Sequence, residues 1–226
     1  MTDILSLDEG YSTTRLLTQE KPEIINTPED KFETVLFLPE GENRKGEGGL
    51  RTKGYFKKSF DDKPLISIIT VVFNGEKYLE ETIQSVINQT YSNVEYIIID
   101  GGSSDGTLDI IKKYEDMIDY WVSERDKGIS DAFNKGIKIA KGDYINFQGD
   151  GDGFISSDAL EKVFKGINPN EDIFVSARIR RISPNGEELY KSKYVENFDK
   201  KSLLFRMSMP HQGLFTHKKK KKKYGL

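Results

Sequence analysis

The chain of 226 residues contains no cysteine. That excludes a disulfide framework and any thiolate-ligated zinc, and it suits a reducing cytoplasm. Nowhere do 18 apolar residues run together, so no segment reads as a membrane-spanning helix. The opening "MTDILSLDEG" lacks a basic stretch followed by an apolar one, and so reads as carrying no signal peptide. An excess of positive charge is missing too. The formal net charge is −3, and six of the 34 basic residues lie in the single run Lys218–Lys223. Without that run 28 basic residues face 37 acidic ones, a balance of −9. An acidic body argues against a nucleic-acid-binding surface. The lysine run reads as a solvated tail, or as a contact for RNA or for anionic lipid, peripheral at the inner face of a membrane. What is present, 36% hydrophobic and 31% charged residues, describes a soluble globular protein with one sizeable domain and an extension.

Residues 1–62 form that extension. They scatter Pro, Gly and Glu, and "EGENRKGEGGLRTKG" reads as an irregular, mobile connector. "TVLFLP" (Thr34–Pro39) is apolar enough to pair as a strand or to dock on the main body. From Pro64 the texture changes. "LISIITVVF" and "VEYIIID" are β-branched on both faces, as strands buried between helical layers must be. Between them Asn74 is placed to cap a helix that aligns Leu79, Ile83, Val86 and Ile87. "LDIIKKY" predicts a second helix, "DYWVSE" a third strand, and "GISDAFNKGIKIAKG" a helix with Ile129, Ala132, Phe133, Gly136, Ile137 and Ala140 inward and Gly142 as its stop. "DYINF" predicts a fourth strand. Later come a helix in "SDALEKVFKG", a strand in "DIFVSARI", a hairpin in "RISPNGEELY", a short helix in "DKKSLLFRM" and a strand in "HQGLFT".

Strand and helix alternate with short links, which predicts a mostly parallel α/β sheet. Such sheets bind ligands beyond the carboxyl ends of their strands. Asp100, the loop Glu124–Gly128, and Asp150 with Asp152 in "NFQGDGDGF" all fall at those ends. The D-G-D is either a tight turn with helix caps or a clamp for a cation and a phosphate. A dinucleotide-binding oxidoreductase would share the sheet, but "VVFNGEKYLE" lacks G-x-G-x-x-G.

"PLISIITVVFNGEKYLEETIQSVINQTYSNVEYIIIDGGSSDGT", "SERDKGISDAFNKGIKIAKGDYINF", the acidic loop and "MPHQGLF" together resemble family 2 inverting glycosyltransferases, in particular those that build bacterial surface polysaccharides. The resemblance spans about Lys63 to Phe215. It implies the GT-A nucleotide-diphospho-sugar transferase fold over residues 63–217, with a Lys-rich tail at 218–226. It also implies transfer of a sugar, from a UDP-sugar by preference, to a glycan or lipid-linked acceptor with the aid of Mg²⁺ or Mn²⁺.

Carried over by position, Val72, Phe73 and Asn74 would cup the base. Asp100 would read it, unless it merely forms an Asx-type turn. Asp126 would lie beside the nucleotide, with Arg125 and Lys127 reaching phosphates or simply solvated. Asp150 and Asp152 would hold metal and diphosphate. His211 and Gln212 would stand near the diphosphate or acceptor, or be structural. Two departures stand out. The family's D-x-D-D falls on Gly149, Asp150, Gly151 and Asp152, and the second acid of "D-D-G-S" is Gly101. The inverting reaction also needs a general base. None is matched here, although Glu187, Glu188 and Asp199 are available acids. The uniform lysine run, which offers a helix no apolar face, reads as a truncated or altered end. A donor-binding remnant without transfer activity is the alternative.

Overall fold

The computed structural model describes residues 3–28, 30, 33–41, 43–168, 174–192 and 210–218. In chain order the strands are β1 (Leu17–Thr18), β2 (Gly46–Gly48), β3 (Phe56–Lys57), β4 (Ile66–Val72), β5 (Val94–Asp100), β6 (Tyr120–Ser123), β7 (Tyr144–Gly149), β8 (Phe174–Ser176), β9 (Arg180–Ile182), β10 (Glu188–Lys191) and β11 (Leu214–His217). The helices are α1 (Leu79–Ile87), α2 (Thr107–Lys113), α3 (Ile129–Ile139) and α4 (Ala159–Phe164).

Every residue of β4 and β5 is buried, and the two pair in parallel from Ile66↔Val94 to Val72↔Asp100. Alternate side chains enter two cores, as the pleat requires. Ile66, Ile68, Tyr96 and Ile98 pack with Leu79, Ile83, Val86 and Ile87 of α1. Ile69, Val71, Ile97 and Ile99 pack with Ala132, Ile137 and Ile139 of α3.

The main sheet runs β2-β6-β5-β4-β7-β11-β8. β6, β5, β4 and β7 are parallel; β2 pairs antiparallel with β6 at one flank, and at the other β11 runs antiparallel between β7 and β8, so β8 again has the direction of the central strands. The chain steps outward from β4 through β5 to β6, then returns across to β7 on the other side of β4. The strand order therefore reverses between β4 and β7, and a crevice opens beyond their carboxyl ends.

Over its described residues the extension is partly ordered against the main body. Gly46–Gly48 forms the edge strand β2 against Trp121–Ser123. Arg51, in a 3₁₀ turn at Leu50–Lys53, reaches Glu95 at 2.5 Å and donates to the carbonyls of Leu36 and Ile139. The "TVLFLP" segment docks and forms no strand: Val35 N–H donates to Lys138 O at 2.9 Å, and Leu36 and Leu38 are buried.

Three further expectations are corrected. Asn74 does not cap α1, which starts at Leu79 after Tyr78; it has φ +53°, and its main-chain N–H is held by Ser103 Oγ at 2.7 Å. Ile129, the first residue of α3, is 63% exposed and faces outward. Gly142 does not stop α3, which ends at Ile139 with Ala140 extended; its N–H donates to Ser67 Oγ at 2.8 Å. The expected helix at "DKKSLLFRM" lies outside the described residues, as do Asp199 and the lysines beyond Lys218.

Candidate functional site

Four parallel strands deliver their carboxyl ends to one rim. β4 ends at Val72, whose carbonyl accepts the Gly101 N–H at 2.9 Å. Phe73 follows, 64% exposed, and then Asn74 and Gly75. A Cβ on Gly75 would stand 2.5 Å from Val72 Cγ2 and 2.8 Å from Asp150 Oδ2. The backbone turn after β4 and the acidic loop after β7 thus touch at the point where the strand order reverses. No larger residue fits between them.

β5 and β6 meet in the same way. A Cβ on Gly101 would lie 2.7 Å from Asp126 Oδ2 and 3.3 Å from Phe73 Cδ2. This accounts for the departure from the family pattern at Gly101: the space a second acid would occupy is filled by Asp126. Asp126 is half-buried, and its Oδ1 accepts the Gly128 N–H at 2.8 Å. Arg125 and Lys127 are exposed beside it.

Asp100 is buried and turned inward. Its carboxylate accepts the Ser103 N–H, the Ser103 hydroxyl, and the Ser123 hydroxyl at 2.5 Å. These partners engage both carboxylate oxygens, and none of the side chain is exposed at the rim where the expected base would lie. Its place is to fix the turn that carries Gly101. Asn74 supports the same turn, accepting the Ser104 N–H at 2.9 Å.

In the acidic loop, Asp152 Oδ2 accepts the Gly149 N–H at 2.8 Å, and Thr82 of α1 accepts the Gly151 N–H at 2.9 Å. Asp150 stands on the rim with its carboxyl partly enclosed. That enclosure, followed by the negative charges of Asp152 and Asp105, pushes its pKa above the usual aspartate value. Asp105 also ties the neighbouring turn, accepting the Glu76 N–H at 3.1 Å and the Thr107 N–H at 3.1 Å.

Beyond Asp152, a cavity of about 890 Å³ opens over the β7-β11-β8 flank. Thr82 and Ser85 of α1 line one side, Gln148 and Gln212 the floor, and residues 177–182 the far wall. Gln148 and Asn146 donate to the Gln212 carbonyl at 3.2 and 3.0 Å, which fastens the "HQG" turn to β7. His211 is not brought into this cavity. Its ring packs edge-on to Phe133 at 6.0 Å, and Phe133 packs on Phe147 on the α3 side of the sheet.

Some supporting residues carry no signal in the sequence. Arg44, in the extension, binds Glu124 through Nε and Nη2, both at 2.8 Å, and Lys135 of α3 reaches the other carboxylate oxygen of Glu124 at 2.8 Å. Lys45 donates to the carbonyls of Gly102 and Ser103 at 2.9 and 2.8 Å. The extension therefore holds the two loops that carry Gly101 and Asp126. Ser103 and Thr82 lie within segments whose likeness to the family is visible, but their bonds are not.

A mixed sheet with this strand order, helices on both faces and acidic loops at the crossover defines a GT-A-type fold. The sequence profile described as "Glycosyl transferase family 2" matches residues 67–221, and the chain belongs to that family. It is 44% identical over 102 residues to an uncharacterised glycosyltransferase of Haemophilus influenzae, covering 44% of this chain and 40% of that protein. It is 34% identical over 142 residues to one from Rickettsia typhi, covering 62% and 44%. It is 40% identical over 103 residues to the putative teichuronic acid biosynthesis glycosyltransferase TuaG of Bacillus subtilis, covering 44% and 40%. The chain spans about two fifths of the length of these relatives. Among solved structures, a mannosyltransferase from Pyrobaculum calidifontis aligns over 53% of this chain and 36% of its own, at 21% identity and a TM-score of 0.48. No helix among the described residues is long and apolar enough to cross a membrane.

Proposed function

We propose that this chain binds a nucleotide-diphospho-sugar, a UDP-sugar by preference, and transfers its sugar to a glycan or lipid-linked acceptor with inversion. The observation that carries the reading is the contact of the acidic loop with Gly75, which joins the ends of β4 and β7 at the crossover. The nucleotide lies on the β4-β5-β6 side. Phe73 offers an exposed ring on which a base stacks. Asp126, with lone pairs left after binding Gly128, accepts the imide N–H of uracil in place of the inward-turned Asp100. Val72 and Asn74 shape the floor.

In the transfer, the acceptor hydroxyl oxygen bonds to the anomeric carbon as the bond from that carbon to the diphosphate oxygen breaks. The electron pair leaves with the diphosphate, and the hydroxyl proton passes to a base. Among the described residues no group of three or more acids or histidines forms a metal cage. The donor set nonetheless fits Mg²⁺ or Mn²⁺, which take oxygen ligands, keep several waters and use one or two carboxylates. Asp150 and Asp152 would hold the ion, and its charge would offset both their mutual repulsion and the charge on the departing diphosphate. Asp152, braced by the Gly149 N–H, keeps one carboxylate oxygen outside that bond.

Calorimetry of UDP, GDP and dTDP with and without Mn²⁺ tests the reading. UDP should bind tightest and only weakly without metal; equal, metal-indifferent binding of all three refutes it. Turnover of a UDP-sugar above an Asp152→Ala background eliminates a donor-binding remnant.

A further inference from the structure

We propose that the cavity beyond Asp152 receives an acceptor glycan bearing oxyanions, carboxylate or phosphate, and that Arg178, Arg181 and Lys191 recognise those charges. The inference rests on the donor reading above for the side from which the acceptor approaches. The sheet order puts Asp126 and Phe73 on one flank of the acidic loop and the cavity on the other. A molecule in the cavity therefore meets Asp150 and Asp152 from the side opposite the nucleotide.

The cavity, at about 890 Å³, is large enough for a ligand of several sugar units. Its charged lining is Arg178, Arg180, Arg181 and Lys191 against Glu81 and Asp152. Arg180 has Glu188 at 3.5 Å. Arg178, Arg181 and Lys191 have no carboxylate partner among the described residues. Lys191 stands directly opposite Arg180 in the β9–β10 ladder. Like charges in that position oppose the pairing of the strands, and an anion between them turns repulsion into attraction. Guanidinium forks match carboxylate and phosphate with two parallel hydrogen bonds, which suits repeated oxyanions on a polymer.

A second feature points to a sugar polymer and not to a bare anion. Tyr190, 53% exposed, lies opposite Arg181 in the same ladder and also lines the cavity. It presents a ring face on which the apolar face of a sugar packs. The wall is firmly mounted. Ile179 and Ser192 exchange bonds at 2.9 Å, and Ala177 N–H donates to Gly213 O at 2.7 Å.

The test uses the full chain with three labelled probes: hexagalacturonate, its methyl ester as the neutral isostere, and a glycerol-phosphate hexamer. At 50 mM salt, at least one charged probe should bind tenfold or more tighter than the ester, and should weaken as salt rises. The tighter of the two names the anion. An Arg178→Glu/Arg181→Glu double variant should lose that preference while keeping its melting temperature and its UDP·Mn²⁺ affinity. An Arg178→Lys/Arg181→Lys variant should retain most of it. Binding of neither charged probe beyond the ester overturns the proposal, as does a preference that survives charge reversal. Loss of UDP binding in the charge-reversed variant also overturns it, because the cations then serve the donor. Failure of wild-type protein to bind UDP, with the charged preference intact, refutes the donor reading and leaves the anion site standing.

Discussion

Replacing Arg51 by methionine tests whether the N-terminal extension belongs to the folded unit. The Arg51 and Glu95 side chains are each 3% exposed and meet at 2.5 Å. Breaking a buried pair by removing one partner costs about 3–5 kcal/mol, because the remaining charge is stranded. Two features adjust that figure. Glu95 keeps the Ser67 hydroxyl and the Lys141 N–H as donors, which lowers the cost. The Leu36 and Ile139 carbonyls lose theirs, at about 1 kcal/mol each, which raises it. The two adjustments roughly cancel, and about 4 kcal/mol is expected. For a chain of this size 1 kcal/mol corresponds to about 2–4 °C, so the melting temperature should fall by roughly 8–16 °C. Thermal unfolding followed by circular dichroism measures it. In a cycle with Glu95→Leu, the double variant should lose less than the sum of the singles, since no unpaired charge remains. A drop under about 2 °C, or a separate early transition for the extension, would refute the reasoning and restore the picture of residues 1–62 as a loose connector.

The structure makes two further predictions about the rim. Gly101→Asp restores the family's second acid but drives a Cβ to 2.7 Å from Asp126 Oδ2; overpacking of about 1–3 kcal/mol should weaken UDP binding roughly ten- to hundredfold by calorimetry, and unchanged or tighter binding would show that Asp126 does not fill that space. Asp152→Asn can keep the bond to the Gly149 N–H through its amide oxygen while removing a charge beside Asp150; the apo melting temperature should hold or rise, and the rise produced by Mn²⁺ in wild type should disappear, so a persisting Mn²⁺ shift would place the cation elsewhere.

The buried strands were legible because burial on both faces leaves a one-dimensional mark. Ile66–Val72 and Val94–Asp100 could settle nowhere but mid-sheet, and with them came the crossover and the convergence of Asp126, Asp150 and Asp152 on one rim. The inward turn of Asp100 was not legible. It depends on Ser123, 23 residues away, whose hydroxyl meets the carboxylate only once β5 and β6 pair. The start of α1 was misplaced for a similar reason. Asn74 has the chemistry of a cap, but Ser103 and Ser104 claim its groups across the loop. The extension hid its strand behind the opposite of a strand composition. Gly46 and Gly48 lie against the indole of Trp121, where an added Cβ would come within 2.8 and 2.7 Å of the ring. A β-branched residue, the usual sign of a strand, is what the ring forbids there.

The cationic wall shows why a binding surface is harder to read than a core. In sequence, Arg178, Arg180 and Arg181 are separated from Lys191 by a turn holding Pro184, Asn185, Gly186 and two glutamates, so that two acids interrupt four bases. Only the hairpin, which folds Lys191 back beside Arg180 and brings both of its strands to the cavity, gathers those scattered charges. The glutamates do not cancel it evenly, since Glu188 reaches Arg180 alone. A core needs its residues to be apolar wherever they lie, so composition and period reveal it. A recognition surface needs opposite strands to bring particular charges side by side. Its chemistry is therefore written in the register of pairing, which no spacing along a single strand records.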